Sequence, residues 1–194
     1  MSWRVKDRVN ALCVLPDGRI VSGSGDRNLR IWMNEANGRY RLETVLKGHT
    51  DWVTALCILP DCRIVSGSAD KILRIWSGFT DRCEHVLQGH KGRVRALCML
   101  PDGRVVSGSE DNTVRIWNTA TLRYEHVLEG HTDGVQALCV LPDGRIVSGS
   151  QDSTLRIWSL LPGKFISTTP YRFISFASLP IVVPLSHHRS SDTW

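Results

Sequence analysis

The sequence contains no C-x2-C pair, no G-x-S-x-G elbow, no basic run interleaved with aromatics and no helical 3.6-residue period. Each absence removes a class of function. Without paired cysteines there is no closed thiolate zinc site. Without the nucleophile elbow, a hydrolase would need a single catalytic cluster elsewhere, and none occurs. The basic surplus is also small: net charge is +5, and residues 159–194 hold Lys164, Arg172 and Arg189 against Asp192, which leaves about +3 for the rest. That is weak support for nucleic acid as a partner. The longest uncharged apolar stretch starts at Phe173 and falls short of the roughly 20 residues a membrane helix needs.

What the sequence has instead is one motif written four times. ALCVLPDGRIVSGSGDRNLRIW starts at Ala11, ALCILPDCRIVSGSADKILRIW at Ala55, ALCMLPDGRVVSGSEDNTVRIW at Ala96 and ALCVLPDGRIVSGSQDSTLRIW at Ala137. The closing tryptophans, Trp32, Trp76, Trp117 and Trp158, follow one another at 44, 41 and 41 residues. A unit of that length cannot bury its own apolar surface and must stack on its copies.

The pattern inside a unit predicts four short antiparallel strands. In the third unit Val94 to Met99 is an apolar run stopped by Leu100-Pro101-Asp102-Gly103, a tight-turn signature. Arg104 to Ser107 is short and β-branched. Gly108 to Asn112 supplies a second turn before Thr113 to Trp117, and Tyr124 to Leu128 alternates with period two. Each unit is therefore a small twisted sheet, and radial repetition of such sheets gives a β-propeller.

These units resemble the blades of the WD-repeat propeller family. The resemblance rests on Gly48-His49, Gly89-His90 and Gly130-His131 before the first strand of a unit, on Asp26, Asp70, Asp111 and Asp152, and on a tryptophan six residues after each aspartate. It covers residues 8–158. The residue after each tryptophan is Met33, Ser77, Asn118 or Ser159, never the aspartate of the family name. The fold implied is all-β: a partial propeller, an open arc of four four-stranded antiparallel blades over residues 1–169, followed by an irregular, non-repeat tail over 170–194.

The resemblance also implies a hydrogen-bonded tetrad in each blade. Blade 2 would join His49, Asp70 and Trp76 with Ser66 or Ser68; blade 3, His90, Asp111 and Trp117 with Ser107 or Ser109; blade 4, His131, Asp152 and Trp158 with Ser148 or Ser150. Both serines of a pair point to the same strand face. A buried imidazole, carboxylate and indole are costly unless each finds a partner, so the network reads as structural and not as a catalytic triad. Blade 1 has Val5 where the histidine would stand, so Asp26 is expected to lack its partner and blade 1 to be the softest. The recurrent Arg30, Arg74, Arg115 and Arg156 read as solvated strand positions whose stems cover apolar surface.

Cys13, Cys57, Cys98 and Cys139 recur at one strand position, with Cys62 and Cys83 besides. Equivalent positions on neighbouring blades are about 10 Å apart, too far for a disulfide or a shared metal. They read as buried, reduced thiols. With no signal-peptide pattern, the expectation is a cytoplasmic or nuclear protein without metal or cofactor.

Function is sought where the repeats differ. Those positions are Arg8, Trp52, Arg93 and Gly134; Asn10, Thr54, Arg95 and Gln136; and Gly25, Ala69, Glu110 and Gln151. The resemblance places them on the rim around the central channel. Arg8, Trp52, Arg93, Arg95, Glu110, Gln136 and Gln151 are the candidate partner-binding residues, Trp and Arg being the types most enriched at interface hot spots. The implied function is a non-enzymatic protein-binding scaffold or substrate-recognition module, in settings such as ubiquitination, signalling or RNA processing. A nucleic-acid or acidic-ligand binder using Lys6, Arg8, Lys91, Arg93 and Arg95 is the alternative. So is a truncated fragment with no independent function, since the repeat stops abruptly after Trp158. Four blades leave two faces open, and three outcomes follow equally from the sequence: a homodimer completing an eight-bladed ring, a longer native product, or a poorly soluble fragment.

Overall fold

The computed structural model of the chain describes residues 7–161 and 164–172. Val5, Lys6 and the tail beyond Arg172, on which some of these expectations fall, lie outside the described residues. Blade 1 comprises β1 (Val9–Val14), β2 (Ile20–Ser24), β3 (Asn28–Asn34) and β4 (Tyr40–Lys47). Blade 2 comprises β5 (Val53–Ile58), β6 (Ile64–Ser68), β7 (Leu73–Trp76) and β8 (Cys83–Leu87). Blade 3 follows with β9 (Val94–Met99), β10 (Val105–Ser109), β11 (Val114–Asn118) and β12 (Arg123–Leu128), and blade 4 with β13 (Val135–Val140), β14 (Ile146–Ser150), β15 (Thr154–Leu161) and β16 (Lys164–Arg172). Each blade is one antiparallel sheet with its strands in sequence order. The repeat is an all-β, partial propeller, and β16 carries its last strand three residues past position 169.

The turns obey local chemistry. At the β1–β2 turn the Leu15 carbonyl accepts from Gly18 N–H at 2.9 Å, and Gly18, Gly103 and Gly144 all have φ between 83° and 86°. Blade 2 has Cys62 at that position, with φ 67°, a conformation that costs a side-chain-bearing residue about 1 kcal/mol or more.

The core sits between blades and not within them. Leu15, Val21, Leu29, Ile31 and Leu46 of blade 1 meet Val53, Ile64 and Trp76 of blade 2, all nearly or fully buried. The same assembly joins blades 2 and 3 through Val94, Val105 and Trp117, and blades 3 and 4 through Val135, Ile146 and Trp158. β1 packs on β5, β5 on β9 and β9 on β13, which lines the inner strands along an arc. No comparable packing joins β13 back to β1 among the described residues.

Of the four recurrent arginines, Arg30 and Arg115 do not follow the solvated reading, and Arg74 and Arg156 are half-buried. Arg30 and Arg115 are each 8% exposed. Arg115 lies 4.5 Å over the Tyr124 ring and so close to Gly89 that a Cβ there would stand 2.8 Å from its Nη1. The guanidinium therefore roofs the Gly-His turn, a role visible only once the turn folds back on the third strand.

Candidate functional site

Two side-chain constellations stand out, one inside the blades and one on the rim. In blade 2, His49 Nδ1 lies 2.8 Å from Asp70 Oδ2 and His49 Nε2 lies 2.7 Å from Ser66 Oγ, while Trp76 Nε1–H donates to the same Ser66 Oγ at 2.8 Å. The geometry fits one chain of donors: indole N–H to serine, serine O–H to Nε2, and Nδ1–H to carboxylate. Blade 3 repeats it with His90, Asp111, Ser107 and Trp117, and blade 4 with His131, Asp152, Ser148 and Trp158. The first serine of each pair is the network member. The second serine works elsewhere. Ser68 Oγ accepts from Asp70 N–H and donates to the Asp51 carbonyl, and Ser150 bridges Asp152 and Asp133 in the same way. It thus ties the rim loop to the turn aspartate.

Electrostatics agree with a neutral imidazole. Burial lowers the pKa of His90 and outweighs the opposing pull of Asp111. Burial works against ionisation of Asp111, but hydrogen bonds from His90, Thr113 and Lys91 N–H overcome it and hold the carboxyl below its usual range. Asp70 is lowered in the same way, by His49 and the N–H groups of Thr50 and Ile72 against the cost of burial. The arrangement places no hydroxyl in a cleft beside an oxyanion-binding pair, and its serine is fully buried.

Blade 1 differs from the expectation. Asp26 does have a partner: Arg30 places Nη1 3.0 Å from Asp26 Oδ1 and closes a second contact from Nη2 to Oδ2. This bidentate hydrogen bond is the main reason that the Asp26 carboxyl is held below its ordinary range. Trp32 keeps its bond to Ser22, at 2.8 Å. The recurrent arginine thus takes over the carboxylate where no histidine is available. The Asp26–Arg30 spacing of four across a turn was the only signal, and it was hidden by the same spacing in every unit.

On the rim, the varied positions converge because the backbone pairs them. Gly25 N–H donates to the Arg8 carbonyl, Ala69 to Trp52, Glu110 to Arg93 and Gln151 to Gly134, at 2.8 to 2.9 Å. Two residues on, a bulge at Asn10, Thr54, Arg95 and Gln136 interrupts the ladder in every blade and re-aims that side chain. Trp52 is 39% exposed and is flanked by guanidinium groups from both neighbouring blades, Arg8 at 5.4 Å and Arg93 at 6.0 Å from its ring. Arg93 approaches Glu110 at 3.9 Å, and Arg95 Nε donates to Glu110 at 2.8 Å. A Cβ on Gly134 would touch Gln136, Gln151 and the Glu110 backbone, so this end of the rim is closely packed too. The structure therefore brings Arg8, Trp52, Arg93, Arg95, Glu110, Gln136 and Gln151 into one band across all four blades.

Two members of the varied set do something the sequence did not disclose. Asn10 Nδ2 donates to the Val53 carbonyl at 3.0 Å, and Thr54 Oγ1 bonds the Val94 carbonyl. They staple blade 1 to blade 2 and blade 2 to blade 3.

The cysteines of the inner strands are free thiols, Cys13, Cys57 and Cys98 half-buried and Cys139 exposed, which departs from the buried reading of all four; burial pushes Cys13 and Cys98 up to about 12 and raises Cys57 too. Thiols held protonated in this way are poor nucleophiles and poor ligands. Among the described residues no group of three or more His, Cys, Asp or Glu side chains is placed to hold a metal ion, and no helix is long and apolar enough to cross a membrane.

The WD domain, G-beta repeat family model matches residues 4–33, 40–77, 81–118 and 122–159. Among solved structures, the crystal structure of the WD40 beta propeller domain of Doa1 is similar to this chain, with TM-score 0.75 and 25% sequence identity over 82% of this chain and 53% of that one. The chain thus spans about half the length of that structure. A comparison with curated proteins finds no match. WD40 propellers are in general non-catalytic modules that bind other proteins. With its four matched repeats, its four-stranded blades and its His-Ser-Asp-Trp networks, the chain belongs to the WD domain, G-beta repeat family.

Proposed function

We propose that this chain is a protein-interaction scaffold that presents its rim band to a partner protein, with Trp52 as the anchor. The observation that carries the reading is the exposed Trp52 ring held between Arg8 and Arg93. A large aromatic kept in the open by flanking cations offers apolar area at little further cost in side-chain entropy, and such residues dominate interface energetics. Arg95 is already engaged by Glu110, which reduces the free positive charge available to a nucleic acid or another polyanion. The half-buried, protonated thiols of Cys13 and Cys98 fit a reducing compartment, cytoplasm or nucleus.

The test replaces Trp52 by a photo-crosslinking amino acid, identifies the captured partner and measures its affinity directly. Trp52→Ala is expected to weaken binding by about 2 kcal/mol with an unchanged melting curve, whereas Phe79→Ala, still more exposed but on the β7–β8 turn, leaves binding intact. A collapsed melting curve for Trp52→Ala places the ring in the core and removes the reading. Affinity should change little between about 50 and about 200 mM salt; a loss of several orders of magnitude points to a polyanionic ligand instead. Capture of nothing specific favours a repeat segment without independent function.

A further inference from the structure

The three junctions between blades are built alike, and the two outer edges of the arc carry the two halves of a fourth. At each junction the later blade offers a valine and a leucine to a glycine of the earlier one. Val53 and Leu56 close on Gly23, Val94 and Leu97 on Gly67, Val135 and Leu138 on Gly108. The fit leaves no room for a side chain: a Cβ on these glycines would stand 2.5 Å, 2.6 Å and 2.6 Å from a valine methyl. The three valines are completely buried.

Among the described residues blade 1 carries the equivalent knob without a hole. Val9 is 44% exposed, Leu12 65% and Val14 63%. Blade 4 carries the hole without a knob. Among the described residues Gly149 meets only its own blade, Leu155 and Ala137, and Val147 and Leu141 are half-buried where Val106 and Leu100 of blade 3 are sealed. A polar staple is present at two of the three junctions, while at the third Arg95 turns to Glu110 of its own blade. Gln136 stands at the position from which Asn10 and Thr54 reach the first valine carbonyl of the next blade, and the corresponding carbonyl is that of Val9.

We propose that the occupant of each open edge is a second copy of this chain, docked head to tail: Val9, Leu12 and Val14 of one protomer close on Gly149, Val147 and Leu141 of its partner, with Gln136 donating to the Val9 carbonyl across the junction. The three internal junctions show what covers such an edge, since the same residue types at the same strand positions already seal it three times. Two such junctions between two chains close a ring of eight blades. The pairing can be tested separately from the rim reading, because the anchor Trp52 and its neighbour Arg93 lie on interior blades, and of the band Arg8, Gln136 and Gln151 belong to the outer two.

Light scattering on the full 194-residue chain at tens of micromolar should give the mass of two chains, and a monomer at that concentration overturns the proposal. Leu12→Asp and, separately, Gly149→Leu should each give monomers that still fold by circular dichroism. Should Gly149→Leu fail to fold, Val147→Asp tests the same edge. An equimolar mixture of the two variants retains one intact junction per pair, so dimers should reappear in the mixture although neither variant forms them alone. If Gly149→Leu and Val147→Asp remain dimeric while Leu12→Asp does not, blade 1 pairs with blade 1 and the head-to-tail geometry is wrong.

Discussion

Blade 1 and blade 3 share 16 of the 22 motif residues, turn aspartate included, yet they hold those aspartates by different chemistry. In blade 3 the half-buried Asp111 accepts from His90, which passes the network inward through Ser107 to Trp117, these three sealed from water. In blade 1 Asp26 takes a bidentate arginine four residues along the same turn, and Trp32 bonds Ser22 in a separate contact. The first arrangement ties three separated segments of chain together. The second is local, joining a turn to its own next strand. A local pair holds a loop, whereas a network spanning about 20 residues of sequence also holds the entering chain against the sheet.

The largest expected effect that would break this contrast is His90→Ala. It strands a buried carboxylate and a serine and removes a ring packed 6.0 Å from Trp117, so a loss of about 2 to 3 kcal/mol is expected in urea unfolding. Arg93→Ala on the rim should cost under about 0.5 kcal/mol. Equal midpoints for the two would remove the network argument. Arg30→Ala comes next, at about 1 kcal/mol, because Asp26 keeps the Asn28 N–H and is closer to solvent. A loss as large as that of His90→Ala would make the two blades equivalent after all.

A smaller effect runs the other way, since blade 2 has a network but also a flaw that blade 1 lacks. Cys62 occupies a left-handed turn position where blade 1 has Gly18, so Cys62→Gly should stabilise by about 0.5 to 1 kcal/mol. An unchanged midpoint would show that the strain is relieved in place. The finest comparison is by pH. The pKa of His90 is lowered from 6.5, so the unfolded chain binds a proton that the folded ring resists, and stability falls as the pH drops below about 6.5. The Asp111 contribution persists above the ordinary carboxylate value of 3.8 and is lost only below it. Amide exchange corrected for intrinsic rates should therefore quicken in β9–β12 between about pH 7 and about pH 5.5, with β1–β4 unaffected. Parallel quickening in both blades would assign the effect to a group other than His90.

The rim and the networks were not equally legible. Histidine, aspartate and tryptophan could be assigned blade by blade because their spacing repeats, but Ser66 and Ser68 share a strand face, and only register chooses between them. Ser66 lies two residues along the strand from Ile64, the cross-strand neighbour of Trp76, and so meets the indole; Ser68 lies one pleat further and meets the loop instead. Arg30 was illegible for the opposite reason. It recurs in every unit, and its distinct role in blade 1 comes from a missing neighbour and not from anything in its own segment.

The sequence by itself determined the strands, the turns, the four-fold repeat and the family, because alternation, Pro-Asp-Gly turns and fixed spacing act within a few residues of chain. Only the tertiary structure decided that Arg8, Trp52 and Arg93 would stack as a triplet, that Asn10 and Thr54 would staple blade to blade, and that the core would form between sheets. Those contacts join residues about 40 positions apart, and their geometry depends on the angle and distance at which one blade settles on the next. That is a property of packed volumes, to which the glycines at positions 23, 67 and 108 contribute by what they leave empty.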